Sequence, residues 1–288
     1  MKKGFTLVEL SIVIVVIGLL IGGILVGQSL VNSAQINKQA QQIQQIDIAV
    51  NQFKNKYKSL PGDGSRFVSS LAQPEMLCAG NNDGMIGNSI VLPLTGNEVW
   101  ETNSASPTCI HYTAEHFRVF EHLGASGMYP YKTFNDNTSV NFVAGAAYPK
   151  MTLESYEPKS LGIDGGVVVG WEFGAGYVKQ GHKIRIGACH GNSGGPITGG
   201  GTRTTFYCGP SLPDMMALDQ KLDDGKPMTG DVVITSNYYI YRFFNNGTPS
   251  GDSTGCCINS ATNNYLQAPT TSAITNGGYI GLEVNTNF

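Results

Sequence analysis

The chain has 288 residues, a formal net charge of −3 and 14% charged residues. This length is ample for one large domain or two small ones. The weakly acidic balance lacks the basic footprint of a nucleic-acid-binding protein and leaves open only a local patch for that role. The first 30 residues are strongly apolar, whereas residues 60–288 are rich in Gly, Asn, Thr, Ser and Tyr.

The first predicted element is a membrane span over residues 5–26. About 20 apolar residues cross a bilayer core as a helix, and this run is interrupted mainly by Thr6, Glu9, Ser11 and glycines. Two lysines precede the span, so the N-terminus is expected to stay in the cytoplasm and the rest of the chain to lie outside. A secretory signal peptide would need a small-residue cleavage site, which residues 27–29 (GQS) do not supply convincingly.

Glu9 is the one charged residue inside this span. A carboxylate in a membrane helix costs about 2.5–3.5 kcal/mol on insertion scales and indicates a functional role. Its natural partner is a cation at the same depth. The candidate is the α-amino group of a neighbouring subunit, freed if the chain is cut before Phe5.

Four glycines punctuate the span at Gly18, Gly22, Gly23 and Gly27. They form two small-xxx-small pairs, which allow close helix contact in lipid. Each glycine also costs a helix about 1 kcal/mol relative to alanine. The sequence leaves both uses open: a packing surface, or a weak segment that melts in an assembly.

The helix is predicted to continue beyond the span, because apolar residues recur at steps of three or four. These residues are Ile36, Ala40, Ile43, Ile46, Val50, Phe53 and Tyr57. Pro61 and Gly62 then end the pattern. We therefore predict one helix over residues 5–58, roughly 80 Å long, whose second half lies on a globular head.

Residues 59–288 are predicted to form that head, with the α+β class and an antiparallel sheet. Helices are predicted at residues 114–124 and from the N-cap Ser211 to Gly225, with Asp214 three residues after the cap. Clusters of β-forming residues predict strands at 167–173, 177–178, 183–186, 232–234 and 238–244. The tail from Asn245 is rich in turn residues and is predicted to wrap the surface.

All six cysteines lie in the head: Cys78, Cys109, Cys189, Cys208, Cys256 and Cys257. An even number in an exported segment favours disulfides, with 15 possible connectivities. Proximity along the chain favours Cys78–Cys109 and Cys189–Cys208. A zinc site is the rival interpretation, but the spacings form no C-x-x-C pair.

An acidic cluster offers a candidate calcium site at Asp219, Asp223 and Asp224. The first two are one helical turn apart, and oxygen clusters of this kind hold Ca²⁺, although the spacing is not that of an EF-hand. Nearby lysines offer a simpler interpretation, a solvated helix end. Residues 81–84 (NNDG) form a turn signature and a weaker second calcium candidate.

The segment around Ser193 (CHGNSGGP) resembles the nucleophile loop of chymotrypsin-like proteases. His116 and either Asp136 or Asp164 would complete a triad in the right chain order. The supporting pattern is incomplete, because asparagine precedes the serine where the family has aspartate, and no cysteine follows His116. A Gly/Ser/Asn turn between strands explains the loop without catalysis.

Residues 4–10 (GFTLVEL) resemble the processing site of type IV pilins and type II secretion pseudopilins. The resemblance covers residues 1–30 and implies that a prepilin peptidase cuts after Gly4 and N-methylates Phe5. The leader would be residues 1–4, leaving 288 − 4 = 284 residues. It also implies that Glu9 attracts the N-terminus of an adjacent subunit. The proline that many pilins carry about twenty residues into the mature chain is missing here.

The resemblance implies a structural subunit of a type IV pilus-like filament rather than an enzyme. Expected partners are other pilin-like subunits, the prepilin peptidase and an inner-membrane assembly platform. The subunit would be a single-pass inner-membrane protein before assembly and part of a periplasmic or cell-surface filament afterwards. A pseudopilin of type II secretion is the alternative, and a membrane-tethered serine hydrolase is less favoured. A plain single-pass protein with a helical spacer would not explain the pattern around Gly4 and Glu9.

Overall fold

The fold is described from a computed structural model of the chain. The structure describes residues 7–64, 67–71, 77, 80, 82–86, 115–131, 148–153, 166–172, 179–190, 205–207, 210–236, 244–245, 248–249, 258–259, 262–265, 280–286 and 288. The strands predicted at 177–178 and over 238–243 lie outside these residues.

Helix α1 (Leu7–Tyr57) is a single α-helix of 51 residues. At about 1.5 Å per residue it is roughly 77 Å long. The helix predicted over residues 5–58 is therefore confirmed over residues 7–57, and residues 5 and 6 lie outside the described residues. It ends where Lys58 adopts a left-handed conformation with φ 55°, and the Lys58 N–H donates to the Lys54 carbonyl at 2.9 Å. Pro61 follows and prevents the helix from continuing.

The two halves of α1 have different surroundings. The first half is exposed throughout, whereas the second half buries one face in the head. The buried residues of α1 are Ile36, Gln39, Ala40, Ile43, Ile46, Ala49, Val50 and Phe53. The predicted apolar stripe is therefore confirmed, and Tyr57 packs at its margin, partly buried. Gln39 had no place in that stripe; its Oε1 accepts hydrogen bonds from the backbone N–H and the hydroxyl of Thr152 at 2.6 and 3.1 Å.

The strands of the head are, in chain order, β1 (Gly166–Glu172), β2 (Gly181–His190), β3 (Thr205–Tyr207), β4 (Val232–Ser236), β5 (Phe244–Asn245), β6 (Thr248–Pro249), β7 (Ile258–Asn259), β8 (Asn264–Tyr265) and β9 (Ile280–Asn285). The main sheet has the antiparallel order β1–β2–β9–β4, and β3 pairs with the last residues of β2. Two small ribbons pair β5 with β6 and β7 with β8. The α+β class is confirmed.

The register of the sheet separates an apolar face from a buried polar one. Ile184 and Ile186 of β2 stand opposite Val284 and Leu282 of β9. Between them, Arg185 Nε donates to Glu283 Oε1 at 2.7 Å, with both side chains almost fully buried. Because side chains alternate along a strand, this ion pair lies on the face opposite the isoleucines.

The prediction for the tail was wrong at residues 280–285. Instead of wrapping the surface, this segment forms β9, which lies between β2 and β4 in the middle of the sheet. Leu282 and Glu283 are completely buried there. The charged residue in the middle of the segment hid the strand, because its partner on β2 is distant in the sequence.

Two short helices connect α1 to the sheet. Helix α2 (Glu115–Ala125) contacts β1, helix α3 (Leu212–Leu222) contacts β4, and both contact α1. Both agree with the predicted helices. The Asp214 N–H donates to the side chain of Ser211 at 3.3 Å, which confirms the predicted N-cap. On the other side, Asn32 Nδ2 donates to Asp214 Oδ1 at 3.1 Å and ties α3 to α1.

An aromatic cluster holds the end of α1 against α2. The rings of Phe53 and Phe67 meet edge to face with centroids 4.8 Å apart. His122 of α2 stands edge to face to Phe67 at 5.1 Å, and its Nδ1 accepts a hydrogen bond from the Gly62 N–H at 2.8 Å. The turn that follows α1 is therefore fixed directly to α2.

Candidate assembly helix and acidic clusters

The first half of α1 is a continuous apolar surface. Every leucine, isoleucine and valine between Leu7 and Val31 is exposed, by 46% to 86%. Burying one such side chain stabilises by about 1.5–3 kcal/mol, so leaving this surface in water costs tens of kcal/mol. Among the described residues, α1 is the one helix long and apolar enough to cross a bilayer. This surface requires either lipid or other helices around it.

Glu9 lies in the first turn of α1 and is exposed on this surface. Ser11, about half a turn further along the helix, is also polar. Its hydroxyl donates a hydrogen bond to the Val8 carbonyl at 2.8 Å within the helix. A hydroxyl bonded in this way enters lipid at little cost, whereas a carboxylate at the same depth costs about 2.5–3.5 kcal/mol. The helix therefore carries one group that favours a cationic neighbour in the membrane.

The four glycines of the span have no packing role within the subunit as far as the structure describes it. Apart from the adjacent backbone of α1, a Cβ added at Gly18, Gly22, Gly23 or Gly27 would meet no atom of the described residues within 4 Å. At Gly62, by contrast, a Cβ would lie 2.6 Å from the Glu115 carbonyl oxygen. Because these four glycines lack a side chain, the helix surface beside them has room for contacts with another molecule.

Several predicted site residues lie outside the described residues. These are Gly4, Phe5, Asp136, Asp164, Ser193, Cys78, Cys109, Cys208, Cys256 and Cys257. Cys189 lies on β2, where its backbone pairs with Phe206 of β3. His116 lies in α2, as its sequence context predicted. The disulfides and the serine-hydrolase triad stay predictions.

The predicted acidic cluster at the end of α3 does come together. Oxygens of Asp219, Asp223 and Asp224 lie within 4.8 Å of one another. Asp219 Oδ1 accepts from the Gly225 N–H at 3.3 Å, and Asp223 Oδ2 accepts from the Val232 N–H at 3.0 Å. These bonds shape the loop that joins α3 to β4.

Asp224 completes that loop. Its Oδ1 accepts from the Lys226 N–H at 2.8 Å and its Oδ2 from the Thr229 hydroxyl at 2.7 Å. The Thr229 hydrogen bond is the main reason why the pKa of Asp224 lies below its usual value. The cluster therefore has a structural use in the loop, and calcium binding there stays a prediction.

A second acidic cluster lies beneath the end of α1, where Asp63, Asp83 and Glu115 place carboxylate oxygens within 4.8 Å of one another. Asp63 is 2% exposed and Glu115 6%, whereas Asp83 is open to solvent. Asp63 Oδ2 accepts from the Gly84 N–H at 3.1 Å. Burial raises the pKa of Asp63, and this backbone hydrogen bond opposes the rise.

The sequence predicts a metal-binding role for only one residue of this second cluster, Asp83. The turn at residues 81–84, which contains Asp83, is the weaker calcium candidate from the sequence. Asp63 follows Pro61 and Gly62, which end the helical pattern, and Glu115 lies within the helix predicted at residues 114–124. An acidic residue directly after a Pro-Gly break, followed within about twenty residues by an Asn-Asp-Gly turn, is the available signal. The contribution of Glu115 depends on the tertiary fold.

One family model matches the chain: residues 1–25 match the prokaryotic N-terminal methylation motif. This motif is the signature of the prepilin-type segment of type IV pilins and pseudopilins, so the resemblance of the N-terminal segment is confirmed. Neither a curated protein nor a solved structure matches the chain significantly.

Proposed function

We propose that this chain is a structural subunit of a type IV pilus-like filament, assembled through helix α1. The observation that carries the proposal is the division of α1 into two halves. One half is an exposed apolar rod that bears the methylation motif, and the other half is embedded in a folded head. This arrangement suits a subunit that is stored in the membrane and later packs its rod against the rods of its neighbours.

Processing is the first step of the proposed mechanism. A prepilin peptidase would cut after Gly4 and methylate the new N-terminus at Phe5, as the motif over residues 1–25 supports. The exposed half of α1 would hold the subunit in the inner membrane until assembly. The same apolar side chains would then leave the lipid for a helical filament core, so that little apolar surface meets water at any stage.

Glu9 supplies the proposed contact for docking. Phe5 and Glu9 are four residues apart, which is about 6 Å along a helix at 1.5 Å per residue. A carboxylate that pairs with the amine of a neighbouring chain sets an axial offset between the two helices. The pair also offsets the cost of a charged carboxylate in lipid, so docking is favoured where the membrane makes that charge most costly.

The glycines provide the proposed surface for close packing. Small residues four apart let two helix backbones approach in lipid. Because the described part of the chain does not occupy the space beside them, a neighbouring helix is free to use it. The mechanism is therefore assembly rather than catalysis.

The head favours a minor or otherwise specialised subunit. Residues 59–288 amount to 288 − 58 = 230 residues, which is large beside the rod that they decorate. Pseudopilins of type II secretion share the methylation motif, and the partner subunits and assembly platform encoded beside the gene would identify the machine.

The test of assembly compares Glu9→Ala with a matched control, Ser11→Ala. Both variants remove a polar group from the same end of the exposed half, but the Ser11 hydroxyl is bonded within its own helix. We expect both variants to insert in the membrane and to be processed at Phe5. Sheared surface filaments analysed by electron microscopy and mass spectrometry should contain the Ser11 variant at normal levels and little of the Glu9 variant.

Normal incorporation of Glu9→Ala would refute the docking contact. Processing is tested separately by Gly4→Leu, which is expected to retain the leader. Mass spectrometry that finds a methylated Phe5 terminus in that variant would refute cleavage at this site.

A further inference from the structure

The cluster of Asp63, Asp83 and Glu115 contains a buried oxygen that lacks a partner. Asp63 Oδ2 accepts from Gly84, but Asp63 Oδ1 has no hydrogen-bond partner within the described part of the chain. A buried polar atom without a partner has lost its hydrogen bonds to water without replacement, and the cost is larger when the atom is charged. One oxygen of the Asp63 carboxylate lies within 4.8 Å of oxygens of the two other carboxylates. A cation among the three groups would offset the cost at the unpartnered Asp63 oxygen.

Backbone contacts hold the three carboxylates together in spite of their repulsion. The Asn82 N–H donates to the Asp63 carbonyl at 3.0 Å, which ties the turn after α1 to the loop of Asp83. A Cβ at Gly80 would overlap that same carbonyl, so only glycine permits this approach. The cluster is therefore a built feature of the fold.

The third segment is held just as firmly. The Gly62 N–H bonds His122 of α2, and the Gly62 backbone lies against the Glu115 carbonyl. The Ile86 N–H donates to Nε2 of His182 on β2 at 3.2 Å, which anchors the far end of the loop to the sheet. The carboxylates thus meet where α1, α2 and the sheet are joined.

We propose that Asp63, Asp83 and Glu115 bind a calcium ion. Three carboxylates form a hard, oxygen-only donor set, which suits Ca²⁺ and excludes the nitrogen and sulfur ligands that zinc prefers. Asp63 and Glu115 form the buried floor, and Asp83 is the exposed side through which the ion and its remaining water ligands enter. Ca²⁺ accepts six to eight oxygens in flexible geometry, whereas Mg²⁺ demands a near-ideal octahedron.

The proposal places the ion apart from the cluster at the end of α3. There the carboxylates of Asp223 and Asp224 already accept hydrogen bonds on the oxygens that shape their loop. Beneath α1 the unpartnered Asp63 oxygen has no such use. Calcium bound there would connect the end of α1 to α2. This inference does not rest on the proposed function.

The test is a calcium titration of the full chain in detergent, followed by thermal unfolding after treatment with EGTA. Extracellular calcium sites have dissociation constants of roughly 10⁻⁴–10⁻³ M, so about 5 mM Ca²⁺ suffices to fill the tighter ones. Binding at fifty times the dissociation constant raises the melting temperature by roughly 5–9 °C for a domain of this size. The same concentration of Mg²⁺ is expected to have a smaller effect.

Asp83→Asn is the informative variant, because asparagine keeps the oxygen that accepts from the Met85 N–H at 2.8 Å but loses the charge. We expect it to fold and to need at least about tenfold more calcium for the same shift, since affinity follows the charge count of the ligands. Asp224→Asn is the matched control from the other cluster and should respond like the unaltered chain.

Asp63→Asn provides a second measurement in the absence of calcium. Removing one of three close charges relieves repulsion, so its melting temperature in EGTA should equal or exceed that of the unaltered chain, while the calcium response is lost. An unaltered chain that does not respond to 5 mM Ca²⁺ would overturn the proposal. So would a response that survives Asp83→Asn, or one that disappears in Asp224→Asn.

Discussion

Gly62 is the point at which the turn after α1 touches α2, and replacing it by alanine tests this joint. Gly62 has φ +92°, a conformation that costs a residue with a Cβ about 1–2 kcal/mol. The new Cβ would also lie 2.6 Å from the Glu115 carbonyl oxygen and 3.1 Å from a methyl group of Val119. Forcing atoms into a packed site costs a further 1–3 kcal/mol or so. We expect a total loss of about 2–5 kcal/mol, with a midpoint of ~3.5 kcal/mol.

Gly127→Ala is the matched control for this prediction. Gly127 has φ +72°, but a Cβ there would meet no described atom within 4 Å, so only the backbone cost of about 1–2 kcal/mol applies. At roughly 2–4 °C per kcal/mol, Gly62→Ala should lower the melting temperature by about 10 °C and Gly127→Ala by about 4 °C. Thermal unfolding of the full chain in detergent, followed by near-ultraviolet circular dichroism, measures both. Equal losses would show that the Gly62 backbone does not lie against α2.

Two further predictions concern the sheet and its neighbours. Glu283→Gln should cost about 3–5 kcal/mol in urea unfolding, because it leaves the buried charge of Arg185 without its counterion. Lys179→Gln breaks the exposed pair with Asp231 and should cost less than about 1 kcal/mol; similar losses in both variants would contradict the buried ion pair. Burial lowers the pKa of His182 to about 4, so the neutral form contributes stability that is present above pH 6.5 and is lost as the pH falls from there towards 4. The difference in melting temperature between the unaltered chain and His182→Gln should shrink or reverse over that range, and a constant difference would refute this titration.

The long helix and its two surroundings could be predicted from local sequence. An uninterrupted apolar run specifies the exposed half, and a 3.6-residue repeat specifies the buried face of the other half. Helix α3 could also be predicted from local sequence, because Ser211 and Asp214 carry the capping signal within four residues. In each case the information lies within one or two helical turns.

Features that depend on distant partners could not be predicted in this way. Glu283 makes β9 look like a polar, exposed segment, and only pairing with Arg185 across the sheet explains its burial. Gln39 looks like a member of the solvent face of α1, yet it is fully buried because Thr152 supplies its hydrogen bonds. A buried polar residue needs a specific partner, and sequence periodicity contains no information about that partner.

The two halves of α1 have different roles: the exposed half provides the surface proposed for assembly, and the buried half holds the head. Side chains added at the glycines of the span would meet no described residue beyond the adjacent backbone of α1, so changes there should affect assembly and leave the head stable. Substitution of Gly62 should do the reverse, because its backbone joins the end of the helix to α2. In the proposed filament, tension along the core would be transmitted to the head through α1. The buried face of the helix and the contacts of the turn after Tyr57 connect α1 to the head, so they would bear this tension. A cation bound at Asp63 would therefore stabilise the contact through which the force is transmitted.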